Sequence, residues 1–206
     1  QVEAVGQVID ESGIQMSQEK RNKVLDFPVP KTLGDLKRFL GLANYFRTHI
    51  QRYHELEQPL QAFVANYTKS KKNRQVPWTE STLDCYRELQ QRIGSCPKLH
   101  YADPSLPTYV ETDASDFGIG AYLFQLTPDG ERLPIAFLSR ALQGPQKNWS
   151  TIEKECYAIY SALREWDHLL RDTTFTIRTD HKNLQYLNTN TPKVVRWKLA
   201  IQEFDF

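Results

Sequence analysis

Asp113, Glu155 and Asp180 are three carboxylates that the order of the surrounding elements can bring to one place. Carboxylate clusters supply the oxygen ligands that hard divalent cations require, and they repel one another when no cation is present. Two Mg²⁺ ions roughly 4 Å apart, with Mn²⁺ as a substitute, can activate a water and stabilise the leaving oxygen of an in-line phosphodiester cleavage. The hypothesis raised is a nuclease. Singly, each acid has a plainer reading, because a strand-end Asp is a common cap and a Glu in a first helical turn suits the helix dipole. Rival chemistries find little support. The sequence shows no Ser/His/Asp order and no Gly-rich phosphate loop, and its five histidines (His49, His54, His100, His168, His181) have no HxxxH spacing. Cys85, Cys96 and Cys156 lie far apart without a CxxC pair, so neither a disulfide framework nor a zinc site is supported and reduced intracellular thiols are expected.

The elements that must position the acids occupy the second half. Period-two, β-forming patterns cover Thr108–Ala114, Gly118–Leu126 and Pro134–Arg140, with Thr127-Pro-Asp-Gly130 as a hairpin turn, which implies three antiparallel strands. Ser150-Thr-Ile-Glu153 is a capping box for a long helix to about Leu170, with an apolar stripe of Ile152, Cys156, Ile159, Tyr160, Leu163 and Trp166. A strand at Phe175–Asp180, a short helix at Lys182–Leu187 and a last helix from about Lys193 follow. If the first and fourth strands are neighbours through a strand–helix–strand crossover, Asp113 and Asp180 lie side by side and Glu155 faces them. The aromatics Tyr109, Phe124, Phe137, Trp166 and Phe175 are expected to face inward.

The first half reads as mostly helical. Gly6–Gly13 is a strand entering a turn, Ser17 an N-cap for a helix that ends before Pro28, and Thr32-Leu-Gly-Asp35 a capping box. Leu36, Phe39, Leu40, Ala43, Phe46 and Ile50 recur on one side of the helix that follows, with Gly34, Lys37, Gly41, Asn44 and Thr48 on another. A mid-helix Gly41 suggests close approach by another backbone, either a bound partner's or a neighbouring helix's. Further helices are expected at 58–67 and 80–93, joined by the basic loop Lys69–Arg74, and three prolines between Cys96 and Pro107 mark a boundary between residues 1–100 and 101–206.

Composition narrows the field. The chain has 206 residues with 40% hydrophobic and 25% charged, and no run nears the roughly 18 apolar residues of a membrane span, so no membrane partner is expected. The formal charge of +1 hides an asymmetry, because residues 1–100 carry 15 Lys and Arg against 11 Asp and Glu, and residues 101–206 carry 11 against 14. The lone strand near residue 5 suggests a chain that extends further N-terminally.

Long, ordered motifs then add a resemblance. Glu111-Thr-Asp-Ala-Ser-Asp-Phe-Gly-Ile-Gly-Ala121, Ser150-Thr-Ile-Glu-Lys-Glu155 and Arg178-Thr-Asp-His-Lys182 resemble the ribonuclease H domain of gypsy-type long-terminal-repeat retrotransposon polyproteins. Asp26-Phe-Pro-Val-Pro30 and Leu36-Lys-Arg-Phe-Leu-Gly-Leu-Ala-Asn-Tyr-Phe-Arg47 resemble the thumb of their reverse transcriptases, Val5–Asp10 the hairpin before it, and Pro77–Glu80 the connection. The implied architecture is α+β/α/β: a helical thumb-like half, then a ribonuclease H-like domain with a mixed sheet whose last strand and helix would fall beyond Phe206.

By that resemblance Asp113, Glu155 and Asp180 are three of four metal-binding, catalytic carboxylates, and the fourth would lie past the end of this sequence. The implied reaction is hydrolysis of the RNA strand of an RNA/DNA hybrid by two Mg²⁺ ions, leaving 5′-phosphate and 3′-hydroxyl ends, with Glu155 also helping to place the 2′-hydroxyl side of the scissile nucleotide. Lys37, Gly41, Asn44, Tyr45 and Arg47 would contact the backbone of the hybrid or template–primer duplex. Other implied partners are the fingers and palm of the polymerase, whose Tyr-x-Asp-Asp aspartates are absent here, and a second copy in a homodimer. The implied setting is a cytoplasmic virus-like particle, with later passage to the nucleus. Two alternatives stand: a host-adopted or regulatory module that binds nucleic acid or protein without cutting, and a nuclease of the same fold acting on DNA.

Overall fold

In the computed structural model, which describes residues 1–65, 67–180 and 191–206, the contacts divide the chain into two units, Gln1–Lys98 and Leu99–Phe206. The expected short helix at Lys182–Leu187 lies outside the described residues.

The first unit begins with an antiparallel meander of β1 (Val2–Ala4), β2 (Gln7–Asp10) and β3 (Gly13–Met16). Between the paired Ala4 and Gln7, Val5 and Gly6 both have positive φ (53° and 76°), the two-residue hairpin geometry that matches strand twist. That conformation is strained for a β-branched valine, and the Tyr45 hydroxyl holds it by donating to the Val5 carbonyl. Gly6 suits the left-handed position, and a Cβ there would lie 2.5 Å from the Lys20 side chain, which would have to shift. Asp10 closes the next turn, accepting from Ser12 N–H and from the Lys98 ammonium at 2.6 Å, and these bonds hold its carboxyl well below the usual range.

Helix α1 (Gln18–Leu25) starts at Ser17, whose hydroxyl accepts from Lys20 N–H, and α2 (Leu33–Ala43) starts at a complete Thr32–Asp35 capping box. All six residues of the expected stripe, Leu36 to Ile50, are buried, but the helix is α only to Ala43 and tightens into a 3₁₀ segment over Asn44–His49. Helix α3 (Tyr53–Val64) starts five residues earlier than expected and carries Pro59 in its interior. Helix α4 (Glu80–Gly94) closes the core, where Tyr86 packs on Phe39 with ring centroids 4.5 Å apart and donates to the Phe27 carbonyl.

Within this chain, close backbone approach to a helical glycine occurs at Gly34. Gly34 N–H donates to the Lys72 carbonyl at 3.0 Å, and a Cβ there would meet Lys72 Cγ at 2.7 Å. Gly41 is exposed, and among the described residues nothing lies within 4 Å of a Cβ built there, so no described neighbouring helix explains it.

The second unit, after the two-residue β4 (Leu99–His100), is a four-stranded sheet in the order β7-β6-β5-β8. Strands β5 (Thr108–Ala114), β6 (Gly118–Leu126) and β7 (Arg132–Ala141) are antiparallel, and β8 (Phe175–Arg178) joins β5 in parallel. The turn at Thr127–Gly130 forms as expected, with Gly130 at φ 82° donating to Thr127. The long helix is broken at Trp166 into α5 (Thr151–Glu165) and α6 (Asp167–Leu170), and α7 is Pro192–Ile201. Beyond α7, Asp205 forms a parallel bridge with Thr174, and its carbonyl accepts from Phe175 N–H at 3.1 Å.

Val110, Ala121 and Leu123 share a buried cluster with Cys156, Ile159 and Leu163 of α5 and with Trp166 and Phe175. Tyr109, Phe124 and Phe137 are not in that core. They alternate onto the other face of the sheet, where Tyr109 stacks on Phe124 and Tyr122 on both Phe124 and Phe137 at centroid spacings of 4.7–5.4 Å, and Phe124 is fully buried there. Arg132 lies 4.5 Å from the Phe124 ring and Arg178 4.1 Å from Tyr109.

His49, 2% exposed, shows what burial does to a base: its pKa is pushed down to about 4 from 6.5. Above pH 6.5 the folded and unfolded chains both hold it neutral, and between 6.5 and 4 only the unfolded chain takes up the proton. The first unit should therefore lose up to about 3 kcal/mol of stability across that window. Urea midpoints followed through Trp78 fluorescence at pH 7, 5.5 and 4.5 should show that slope flattened in His49→Gln, and an unaltered slope would rule His49 out as its source.

Candidate metal centre

The parallel pairing of β5 with β8 sets Glu111 opposite Arg178. Carried two residues on, the same register sets Asp113 level with Asp180. Glu111 makes salt links to both flanking cations, Arg132 at 3.0 Å and Arg178 at 3.7 Å, so the ladder is fixed by charge as well as by hydrogen bonds.

The third carboxylate comes from α5. Its N-terminus is held by a reciprocal capping box, with Ser150 Oγ accepting from Glu153 N–H and Glu153 accepting from Ser150 N–H at 2.9 Å. Lys193 of α7 adds a 3.0 Å link to Glu153 and lies 4.5 Å over the Trp149 ring, which packs in turn on Tyr157 and Trp197. With the helix end pinned, Glu155 falls on the face that meets β5.

The three acids that the sequence singles out are brought together: one oxygen of each of Asp113, Glu155 and Asp180 lies within 4.8 Å of the others. Glu155 is 2% exposed, Asp113 is half-buried and Asp180 is exposed. Burial first, and then the charges of Asp180 and Asp113, push the Glu155 carboxyl up to about 7, against a lowering contribution from the Ala114 N–H. Glu155 Oε2 has no hydrogen-bond partner although it is buried. An orphaned carboxylate oxygen between two further carboxylates fits a hard divalent cation, which would satisfy the lone pairs and cancel the repulsion. All three side chains offer oxygen alone, and that donor set suits Mg²⁺ or Mn²⁺ rather than a soft metal.

The residues expected to touch a duplex lie on the first unit. Lys37, Gly41, Asn44 and Arg47 are exposed, and Tyr45 is half-buried because it ties down Val5 and carries the Lys20 ammonium 4.9 Å over its ring. Lys37 lies 4.3 Å over the Tyr67 ring. Sequence reasoning missed Lys154 and Asp116, which are joined at 2.6 Å beside the carboxylates. The signal available was a lysine inside the run Ile152–Cys156, where the helical period leaves little room for an exposed face.

The family described as the RNase H-like domain found in reverse transcriptase matches residues 103–204. The match lies wholly within the second unit, which is therefore similar to the RNase H-like domain of reverse transcriptases. Over its whole length the chain is 35% identical to the Tf2-3 and Tf2-4 transposon polyproteins of Schizosaccharomyces pombe, and it spans 16% of their length. It also resembles a foamy viral protease–reverse transcriptase solved with RNA/DNA hybrid, with a TM-score of 0.70 and 20% identity over 98% of this chain and 28% of that one. A foamy viral protease–reverse transcriptase solved with double-stranded DNA gives a TM-score of 0.70 and 22% identity over 97% of this chain and 42% of the other. At 20–22% identity these structural likenesses show the fold alone.

Without a cation the centre is under charge strain. Glu155→Gln removes the buried charge and supplies an amide to the neighbouring acids, so in chelator the second unit should gain about 1–3 kcal/mol. Thermal melts with EDTA and with Mn²⁺ should show Glu155→Gln above the parent in the first and not raised by the second, and a destabilised variant in EDTA would count against charge strain.

Proposed function

We propose that the RNase H-like domain hydrolyses the RNA strand of RNA/DNA hybrids, and that the chain is the thumb, connection and ribonuclease H part of a gypsy-type retroelement reverse transcriptase. The observation that carries this reading is the convergence of Asp113, Glu155 and Asp180 within 4.8 Å, with a buried Glu155 oxygen lacking a partner. Asp113, Glu155 and Asp180 would hold Mg²⁺ or Mn²⁺. Bound there, a pair of such ions supplies an activated water and charge stabilisation for the leaving 3′-oxygen.

The chain's own residues do the rest. Strands β5 and β8 hold Asp113 and Asp180 in register, so the two carboxylates approach the scissile phosphate as a fixed pair rather than as independent side chains. Glu155, on a capped helix and largely excluded from water, has a carboxyl that retains a proton near neutrality until positive charge arrives. Glu155 would also help to place the 2′-hydroxyl side of the scissile nucleotide, the group that distinguishes RNA from DNA. Specificity for hybrid rests on groove shape and 2′-hydroxyl contacts, without base reading. The Tf2 polyproteins and the hybrid-bound foamy viral enzyme support a retroelement substrate of this kind.

On the first unit, Lys37, Gly41, Asn44, Tyr45 and Arg47 form the face proposed to lie along the duplex backbone. The open space at Gly41 supports this, since it leaves room for a phosphate–sugar chain to come close. The excess of basic residues in this half has the sign that phosphate contact requires.

Incubation of an end-labelled RNA/DNA hybrid with this chain and Mg²⁺ or Mn²⁺ should yield RNA fragments with 3′-hydroxyl ends. Asp113→Asn should lower the rate about a hundredfold or more. Cutting of duplex DNA, or hybrid cutting untouched by Asp113→Asn, would overturn the assignment. In binding titrations at varied salt, Lys37→Ala and Arg47→Ala should each weaken hybrid affinity uniformly across sequences and reduce the salt slope by about 1, whereas unchanged slopes would remove those residues from the duplex face.

A further inference from the structure

Lys154 immediately precedes Glu155 on α5 and is only 5% exposed. A buried ammonium is stable only when paired. Its partner is Asp116 in the β5–β6 turn, at 2.6 Å, and the pair is lopsided: the lysine side chain is 7% exposed and the aspartate side chain 86%. The lysine therefore reaches outward from inside the domain to hold a surface turn.

On its other side the turn is held by the sheet, where the Phe117 carbonyl accepts from Leu142 N–H at 3.0 Å and Ala114 pairs with Ile119, and the rest of its bonds are internal. Ser115 N–H donates to the Gly118 carbonyl at 2.9 Å, and Ser115 Oγ accepts from Phe117 and Gly118 N–H at 3.3 and 3.2 Å. At its start, the Ala114 N–H faces the Glu155 carboxyl. Two consecutive residues of α5 thus grip two points of one turn, Glu155 at Ala114 and Lys154 at Asp116. Asp113 is the residue next to the first of these points. Because β6 holds the end of β5 from the other side, release of the second would leave the turn bonded to α5 through the Ala114 N–H and let it shift relative to Glu155.

We infer that Lys154 is a positioning residue: through Asp116 it holds the β5–β6 turn against α5 and so sets the spacing of the Asp113 and Glu155 carboxylates for a divalent cation. This rests on the reading of Asp113, Glu155 and Asp180 as cation ligands. Electrostatics alone makes the opposite forecast for one variant, because removing a nearby positive charge strengthens cation binding.

The test is calorimetric titration of the whole chain with Mn²⁺. Lys154→Met and Asp116→Asn should each weaken affinity about tenfold or more, the double variant should lose no more than Lys154→Met alone, and Lys154→Arg should recover part of the loss. Tighter binding in Lys154→Met would mean that the lysine acts only as a repelling charge. Affinity equal to the parent's, with only a lowered melting temperature, would make it purely structural, and additive losses in the double variant would break the link through Asp116. Any of these overturns the inference. Should Lys154→Met not fold, Asp116→Asn decides, because its side chain is on the surface. Asp113→Asn separates the two levels of argument: if it binds Mn²⁺ as the parent does, the metal reading fails and this one with it, whereas lost binding there beside intact binding in Asp116→Asn removes the positioning role alone.

Discussion

The parallel pairing of β5 with β8 is the constraint on which the second unit depends. Four residue pairs make up the ladder, from Thr108 opposite Phe175 to Glu111 opposite Arg178. A slip of one residue would turn Phe175 and Ile177 out of the core and carry Asp180 away from Asp113. So short a ladder is reinforced from the side. Arg178 engages Glu111 and lies over Tyr109, Arg132 engages Glu111 and lies over Phe124, and the stacked rings between them lock β5 to β6 and β7. The aromatic face is thus a device for fixing register across the strand that carries Asp113.

The helix that supplies Glu155 needs equal discipline, because a carboxylate can be held near two others only by an element that does not yield. Capping alone stabilises a helix end by about 1 kcal/mol. Here the cap is backed by Lys193 and by packing among Trp149, Tyr157, Tyr160 and Trp197, which joins α5 to α7. Thr112 Oγ1 and Ser161 Oγ are also buried without partners, so polar cost accumulates on the same layer of sheet and helix as Glu155. A domain that tolerates such groups where apolar ones would pack better departs from the rule for stable cores, and departures of this kind gather at functional sites.

Much of this was legible in the residue order. The capping boxes at Thr32 and Ser150, the strands Thr108–Ala114 and Gly118–Leu126 and the turn at Gly130 follow from local chemistry, and the structure reproduces them. The three acids could be picked out because strand ends and a helix start give each a defined place. What escaped depends on non-local packing. Pro59 lies in the interior of α3 although proline ordinarily breaks a helix, because the packing of α3 on α4 outweighs that penalty. The change to 3₁₀ geometry at Asn44 carries no compositional mark, and period two says that Tyr109 and Phe124 share a face without saying which face is covered by α5. Gly34 and Gly41 look alike in sequence. Only the fold shows that the first is pressed against Lys72 and the second opens to solvent.

Lys98, the last residue of the first unit, donates to both carboxylate oxygens of Asp10 and to Ser12, at the turn between β2 and β3. In mechanical terms this is a strain relief. Tension applied to the chain at residue 99 is borne first by a charge-assisted clamp on a hairpin 88 positions earlier, before it reaches the end of α4. Pulling on residue 99 is thereby shared with the turn between β2 and β3 instead of falling on the end of α4 alone.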